Sequence, residues 1–290
     1  MKRISKYFIP VLIFAAGFSA CTKQYASIEE LDSQNVAKYI QDNNLNMLEY
    51  NETGIFYKVV NAGTGPDLDY TQKLPLIYTI KTLDGTYTSV DTFVNRYYNY
   101  FGYFKPDSLR EVLKNSGIKQ GGSLRVIIPS RYAYGRSGTS NIAGNSSIDY
   151  TISVITADKI ADYEDFIINK YLQDNSLTGF SKTATGLYYK ISNPGSGTDN
   201  ITTSSTLTLE YSGKLLNGTV FDKTATGATA TFLLSNLIDG WKEALPLIKE
   251  GGSIRIIVPS SLGYGLDGNG SSIPPFATLD FEIKVTDIVG

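Results

Sequence analysis

The stretch GGSIRIIVPSSLGYG (Gly251–Gly265) repeats an earlier one, GGSLRVIIPSRYAYG (Gly121–Gly135), with nine of fifteen positions identical at an offset of 130 residues. The likeness extends in both directions. KYIQDNNL (Lys38–Leu45) returns as KYLQDNSL (Lys170–Leu177), and TGIFYKVVNAGTGPD (Thr53–Asp67) returns as TGLYYKISNPGSGTD (Thr185–Asp199), both at an offset of 132. Three blocks in one order describe a duplicated unit of about 130 residues, too long for a solenoid repeat. The expected domains are 27–158 and 159–290, within the span two ordinary domains occupy.

Each unit opens on a helical pattern. Ser27-Ile28-Glu29-Glu30 reads as a capping box. Ile28, Leu31, Val36, Tyr39 and Ile40 form the expected apolar face of the first helix, and Phe166, Ile167 and Leu172 that of the second, over Ile160 to Gln173. Strands follow. Leu207–Tyr211 and Leu279–Val285 alternate apolar and polar, the period of half-buried antiparallel strands. Trp241, Leu245 and Ile248 mark one short helix between them, with Pro246 restricting it to about two turns. The expected class is α+β: in each unit, a twisted antiparallel sheet wraps over a short helix and follows an N-terminal helix.

Composition excludes several kinds of function. With 42% hydrophobic residues, 19% charged and a net charge of −2, the chain has no basic excess for nucleic acid. It contains no histidine. Imidazole catalysis, Ser-His-Asp triads and histidine metal sites are therefore absent, and no cofactor is implied. The carboxylates show no cluster at metal-ligand spacing.

The first residues, MKRISKYFIPVLIFAAGFSAC, place three cations before an apolar run too short to span a bilayer comfortably. The chain's one cysteine, Cys21, ends F-S-A-C. This resembles the lipobox of bacterial lipoproteins, which implies a signal peptide over 1–20, lipidation of Cys21 and a tether over 21–26. Membrane attachment would be through acyl chains alone. The residues after Cys21 lack an acidic cluster, which points to an outer-membrane lipoprotein facing the periplasm.

The second unit carries four further segments in order: EYSGKLLNGTVFD (Glu210–Asp222), FLLSNLIDGWKEAL (Phe232–Leu245), VPSSLGYG (Val258–Gly265) and IPPFATLDFEI (Ile273–Ile283). In these it resembles the FKBP-type peptidyl-prolyl cis–trans isomerases over about Thr185 to Val289. The resemblance implies a pocket in which Tyr211, Phe221, Asp222, Tyr264 and Phe281 act on the twisting bond. Leu237, Ile238 (through its backbone N–H), Trp241 as the floor and Ile273 would bind substrate. It further implies proline-containing unfolded or nascent exported proteins as clients and macrolide-type inhibitors as pocket ligands. An imidazole often found after the family's tyrosine is absent; Asn269 lies nearest. Taken singly, Trp241, Tyr211 and Phe281 read as core and Asp222 as a turn residue, and their co-occurrence is what carries the pocket.

In the first unit, Tyr78 and Tyr134 remain and Tyr150 stands for Phe281. Thr88-Ser89 replace the Phe-Asp pair. At an offset of 130, Glu111 falls on the tryptophan and Asp107-Ser108 on Leu237-Ile238. A charged floor would remove the apolar cavity, so the first unit is expected to be inactive. Its run YYNYFGYF (Tyr97–Phe104) has two readings: rings that fill the vacant pocket or pack beneath a loop, or an exposed patch that holds unfolded chains or a partner. The alternative for the whole chain is a non-catalytic binding or assembly lipoprotein.

Overall fold

The computed structural model describes residues 26–90 and 95–289. The expected signal, the lipobox and Cys21 lie outside the described residues. No helix among those described is long and apolar enough to cross a membrane.

The chain builds the same sheet twice. The first unit runs α1 (Ile28–Asp42), β1 (Leu48–Tyr50), β2 (Ile55–Asn61), β3 (Lys73–Thr82), β4 (Thr88–Ser89), β5 (Arg96–Tyr100), α2 (Asp107–Asn115), β6 (Ser123–Ile128) and β7 (Ile148–Val154). The second runs α3 (Ile160–Asp174), β8 (Ser181–Lys182), β9 (Tyr188–Asn193), β10 (Thr206–Leu215), β11 (Val220–Lys223), β12 (Ala230–Leu233), α4 (Asp239–Ala244), β13 (Ser253–Val258) and β14 (Leu279–Val289). The sheet orders are β1-β2-β6-β7-β3-β4, with β5 on β3, and β8-β9-β13-β14-β10-β11, with β12 on β10. Strand for strand they are the same antiparallel topology, so the duplication read in sequence is a duplication of fold.

In each sheet the strand alternation divides the side chains between two layers. On one face of the second sheet, Ile254, Ile256, Val258, Leu279, Phe281, Ile283 and Val285 pack with Trp241 and Ala244 of α4 and with Leu245 just after it. Helix α4 is short because Pro246 follows it. Leu245–Leu247 continues as a single 3₁₀ turn, which tolerates proline near its start. On the other face, Ile257 and Tyr188 meet Ile167, Ile168 and Tyr171 of α3. This second cover explains a departure from expectation. Strand β14 does not alternate cleanly, because Asp280 is fully buried beneath α3.

Asp280 is fully paired. Arg255 grips it with two parallel hydrogen bonds, Nε to Oδ1 at 2.9 Å and Nη2 to Oδ2 at 2.6 Å. The Tyr171 hydroxyl donates to Oδ2 at 2.7 Å. Burial and this anionic acceptor push the Tyr171 pKa well above its ordinary value. The first unit repeats the device with Arg125, Asp149 and Tyr39, whose hydroxyl lies 2.9 Å from Asp149 Oδ2. Each triad ties a helix to the two central strands of its sheet.

The helix faces differ from the expected ones. Leu31 is 46% exposed and Phe166 is 65% exposed. The buried positions of α1 are Asp32 and Val36, and those of α3 are Ile160, Glu164, Ile167, Ile168 and Tyr171. Both faces therefore include an acid. Asp32 accepts from the hydroxyls of Ser130 and Ser147 and from the Arg131 N–H, and Glu164 accepts from the Ser260 N–H at 3.1 Å. An apolar count assigns these acids to solvent, and so rotates the buried face away from its true position.

Breaking one triad has a defined cost. Asp280→Ala removes the buried carboxylate from a partly buried guanidinium that keeps only the Glu282 carboxylate at 3.5 Å, and it should cost somewhat less than the about 3–5 kcal/mol of breaking a fully buried ion pair. Trp241 is the chain's only indole, so denaturant unfolding followed by its emission reads the second unit. A transition at the wild-type midpoint would show that the triad does not hold α3 to the sheet.

Candidate functional site

The elements of the second sheet converge on a cavity of about 280 Å³ lined by Tyr211, Phe221, Asp222, Phe232, Asn236, Leu237, Ile238, Trp241, Tyr264 and Phe281. Strand β10 supplies Tyr211, β11 Phe221 and Asp222, and β14 Phe281. Trp241 stands on α4, with Leu237 and Ile238 just before it. Eight of the nine expected pocket residues meet here. The ninth, Ile273, does not: it is 3% exposed within the core cluster and off the cavity wall. Its place at the closing of a small loop, where its N–H and C=O both pair with Asn269, turns it into the core.

Five rings form a chain of edge-to-face contacts. Phe232 meets Tyr211 at 6.1 Å, Tyr211 meets Trp241 at 5.5 Å, Trp241 meets Phe281 at 5.2 Å, and Phe281 meets Phe221 at 5.6 Å, with interplanar angles from 73° to 89°. This is the arrangement that ring quadrupoles favour. It leaves a rigid apolar box whose size is set by the backbone.

One residue that the sequence reading passed over makes the box possible. Gly213 lies on β10 between the Phe221 and Phe281 rings. A Cβ there would meet Phe281 Cε1 at 2.5 Å and Phe221 Cζ at 2.8 Å. A glycine inside a strand signals such a close approach, so the SGK of EYSGKLL was readable. Phe232 and Asn236 were also missed. Neither carries a signal in a single sequence beyond its closeness to Trp241.

Three polar groups address the box. The Tyr211 hydroxyl donates to Asp222 Oδ2 at 2.6 Å, and burial first, then this bond, holds its pKa well above the ordinary phenol value. The Tyr264 hydroxyl has no hydrogen-bond partner among the described residues, and its ring is 36% exposed. The Ile238 N–H, just before the first turn of α4, likewise finds no acceptor among them. An orphan donor at a helix start is a natural site for a carbonyl. No group of three or more His, Cys, Asp or Glu able to hold a metal occurs among the described residues.

The first unit has the same frame with the space filled. Helix α2 fixes the equivalence: Leu109, Val112 and Leu113 are buried where Trp241 and Ala244 of α4 and Leu245 after it are buried. The local offset is therefore 132, and the expected alignment of Glu111 with Trp241 is wrong. Glu111 is exposed, and the floor residue is Leu109, fully buried. Two extra residues between α2 and β6 shift the spacing back to 130. Leu237-Ile238 correspond to Lys105-Pro106, not to Asp107-Ser108. Pro106 has no N–H, so the donor offered by Ile238 does not exist here. Phe104 takes the position of Asn236; its ring lies 5.9 Å from Tyr78 and 5.0 Å from Tyr97, and it is 3% exposed. Tyr134 and Tyr150 join their hydroxyls at 2.7 Å. The strand register confirms Thr88-Ser89 against Phe221-Asp222, and puts Ile80 where Gly213 stands. The aromatic run divides between its two readings: Phe101 and Phe104 are buried, whereas Tyr100 and Tyr103 are exposed.

The glycine yields a prediction. Gly213→Ala forces a methyl between two packed rings. It should destabilise the second unit by about 1–3 kcal/mol, the usual cost of overpacking, and should shift Trp241 emission. An alanine variant with wild-type stability and emission would show that the rings are free to separate.

Residues 197–286 match the family described as FKBP-type peptidyl-prolyl cis-trans isomerase. A probable FKBP-type isomerase of Haemophilus influenzae is 45% identical over 107 residues, covering 37% of this chain and 44% of the relative. The FKBP-type 22 kDa isomerase of Escherichia coli is 40% identical, covering 41% and 59%. The outer membrane protein MIP of Legionella longbeachae is 40% identical, covering 40% and 49%. The chain thus spans about half the length of the curated relatives it matches. Among solved structures, FkpA from Escherichia coli aligns with a TM-score of 0.40 at 33% identity, covering 45% of this chain and 62% of that one. The sequence match and the ring-lined cavity fall on one segment, residues 197–286, which is similar to the FKBP-type peptidyl-prolyl cis-trans isomerases.

Proposed function

We propose that the chain isomerises X-Pro peptide bonds of exported proteins through the cavity of its second unit, and that the first unit is catalytically silent and serves client or partner binding. The observation that carries this reading is the five-ring box with a free backbone donor, Ile238 N–H, and a free hydroxyl, Tyr264, at its edge. An X-Pro bond rotates slowly, in tens to hundreds of seconds, against a barrier of roughly 20 kcal/mol. Rotation needs no proton transfer and no covalent intermediate, which suits a chain without histidine.

A site that binds the twisted amide better than either planar form lowers the barrier by differential binding, and each tenfold in rate needs only about 1.4 kcal/mol. The rings of Trp241, Phe281, Phe221 and Tyr211 would hold the pyrrolidine, while Ile238 N–H and Tyr264 Oη would hold carbonyls on either side of the turning bond. Asp222 would fix the Tyr211 hydroxyl at the cavity wall through its 2.6 Å hydrogen bond. Pro106, Phe104 and the Tyr134–Tyr150 pair support silence in the first unit. The proposed domains are 27–158 and 159–290, behind a signal at 1–20 and a lipid tether at 21–26. The outer-membrane name of the Legionella relative supports envelope attachment.

The test is a proline-limited peptide or refolding assay on the whole chain. Trp241→Ala should lower kcat/KM at least about tenfold. Tyr264→Phe should cost the about 0.5–1.5 kcal/mol of one hydrogen bond. A wild-type chain that binds proline peptides without accelerating their isomerisation would favour the alternative, a binding lipoprotein. A wild-type kcat/KM in Trp241→Ala would remove the catalysis from this cavity.

A further inference from the structure

The two units meet through one buried cation. Arg96, on β5 of the first unit, is 6% exposed. Its Nη1 donates to the carbonyl of Phe276, in the second unit, at 2.8 Å. The guanidinium carbon lies 5.0 Å from the Phe276 ring centroid and 5.3 Å from that of Tyr163 on α3. Around it, Ile155, Ile160 and Phe276 are buried, with Ile77, Tyr98, Tyr163 and Leu266 packed against them. A salt bridge at the rim, Lys73 to Asp267 at 3.0 Å, joins β3 to the same loop.

That loop is the segment between Tyr264 and Thr278. The Phe276 N–H donates to the carbonyl of Gly265, the residue after Tyr264, at 3.2 Å. Two hydrogen bonds therefore run from the first unit to the neighbour of a cavity-wall residue: Arg96 to the Phe276 carbonyl, then the Phe276 N–H to the Gly265 carbonyl.

The duplication supplies an internal control. In the first unit the equivalent of Phe276 is Asn145, whose N–H donates to the carbonyl of Gly135 at 2.8 Å. Asn145 is exposed at φ +60°, a conformation asparagine adopts readily. Phe276 takes a left-handed φ of +39° and is fully buried. A bulky residue in that region is strained and persists only where its surroundings over-determine it. Here the first unit supplies one side of those surroundings, with Arg96, Ile77, Tyr98 and Ile155.

From this we infer that the first unit acts in cis as a clamp on the second. Arg96 is a positioning residue that holds the 265–276 loop, and through it Tyr264, in the geometry that receives substrate. The inference rests on the isomerase reading for its kinetic consequence and on the contact itself for its structural one. Arginine suits the role because a planar guanidinium stacks between two rings and still donates from its edge, which an ammonium cannot do.

The experiment uses the whole chain with Arg96→Ala, Arg96→Lys, Phe276→Asn and the Arg96→Ala/Phe276→Asn pair, each confirmed folded by far-UV circular dichroism. Arg96→Ala should raise KM for a proline peptide about fivefold or more, the low end of couplings between linked sites. It should leave kcat near the wild-type value and open the loop to a non-specific protease. Arg96→Lys should not rescue it. Phe276→Asn removes the ring beneath Arg96 but keeps the backbone carbonyl, so it should open the loop less than Arg96→Ala, and the pair should go no further than Arg96→Ala alone, because the ring acts on the loop only through that cation. Wild-type KM and wild-type loop protection in Arg96→Ala, or additive effects in the pair, would overturn the clamp. If the wild-type chain does not isomerise at all, the isomerase reading fails alone, and loop protection together with Trp241 emission still decides the clamp.

Discussion

A carboxylate buried beneath a helix organises each half of this chain. Asp280 lies under α3, gripped by Arg255 from the neighbouring strand and by the Tyr171 hydroxyl from the helix, and Asp149 repeats the arrangement with Arg125 and Tyr39. Buried charges are tolerated only when paired and hydrogen-bonded. That requirement fixes the helix in register with the two central strands, since a one-residue slip on any of the three elements would strand the carboxylate. The opposite faces of the same strands carry Ile256, Phe281 and their neighbours toward α4. The cavity wall is thus aligned by an ion pair on the far side of the sheet.

This two-sided construction explains what could be read in the sequence and what could not. The alternation of β10, the capping box at Ser27 and the repeated blocks are local patterns, and the structure keeps them, whereas β14 breaks its alternation at Asp280. The rings of the cavity were legible because Tyr211, Phe221, Trp241 and Phe281 sit at a family's spacing in four ordered segments. The helix faces were not. Asp32 and Glu164 occupy buried positions that hydrophobic counting gives to solvent, so Leu31 and Phe166 were placed inside in error. Burial pushes the Glu164 carboxyl above its ordinary range, with hydrogen bonds from Ser260 opposing the shift; a sequence gives no sign of such compensation. Ile273 failed for a related reason. Its direction is decided by a loop closure with Asn269, not by its apolar neighbours.

The mistaken pairing of Glu111 with Trp241 has a geometric cause. A constant offset assumes that the units differ in length nowhere between the matched blocks, yet the turn after α2 is longer by two residues than its counterpart. The buried triplet Leu109, Val112 and Leu113 corrects the alignment, because a helix face is pinned by packing where a loop is not. The correction also changes why the two units differ. The first unit has an apolar floor, and its space is taken by Phe104 and its neighbouring rings.

That difference bears on how reversible the divergence is. Most losses of a binding side chain can be undone by one substitution. The backbone N–H missing at position 106 would return in the same way, since every residue but proline carries one. Recovering an open site would also require removing the Phe104 ring, parting Tyr134 from Tyr150, and clearing Ile80 to admit a ring opposite Tyr150. Each step alone breaks packing and gives no site in return. If the first copy is silent as proposed, it is held on its side of a ratchet: its sequence can drift at the surface, but the space a ligand would need is filled by the same rings that stabilise it.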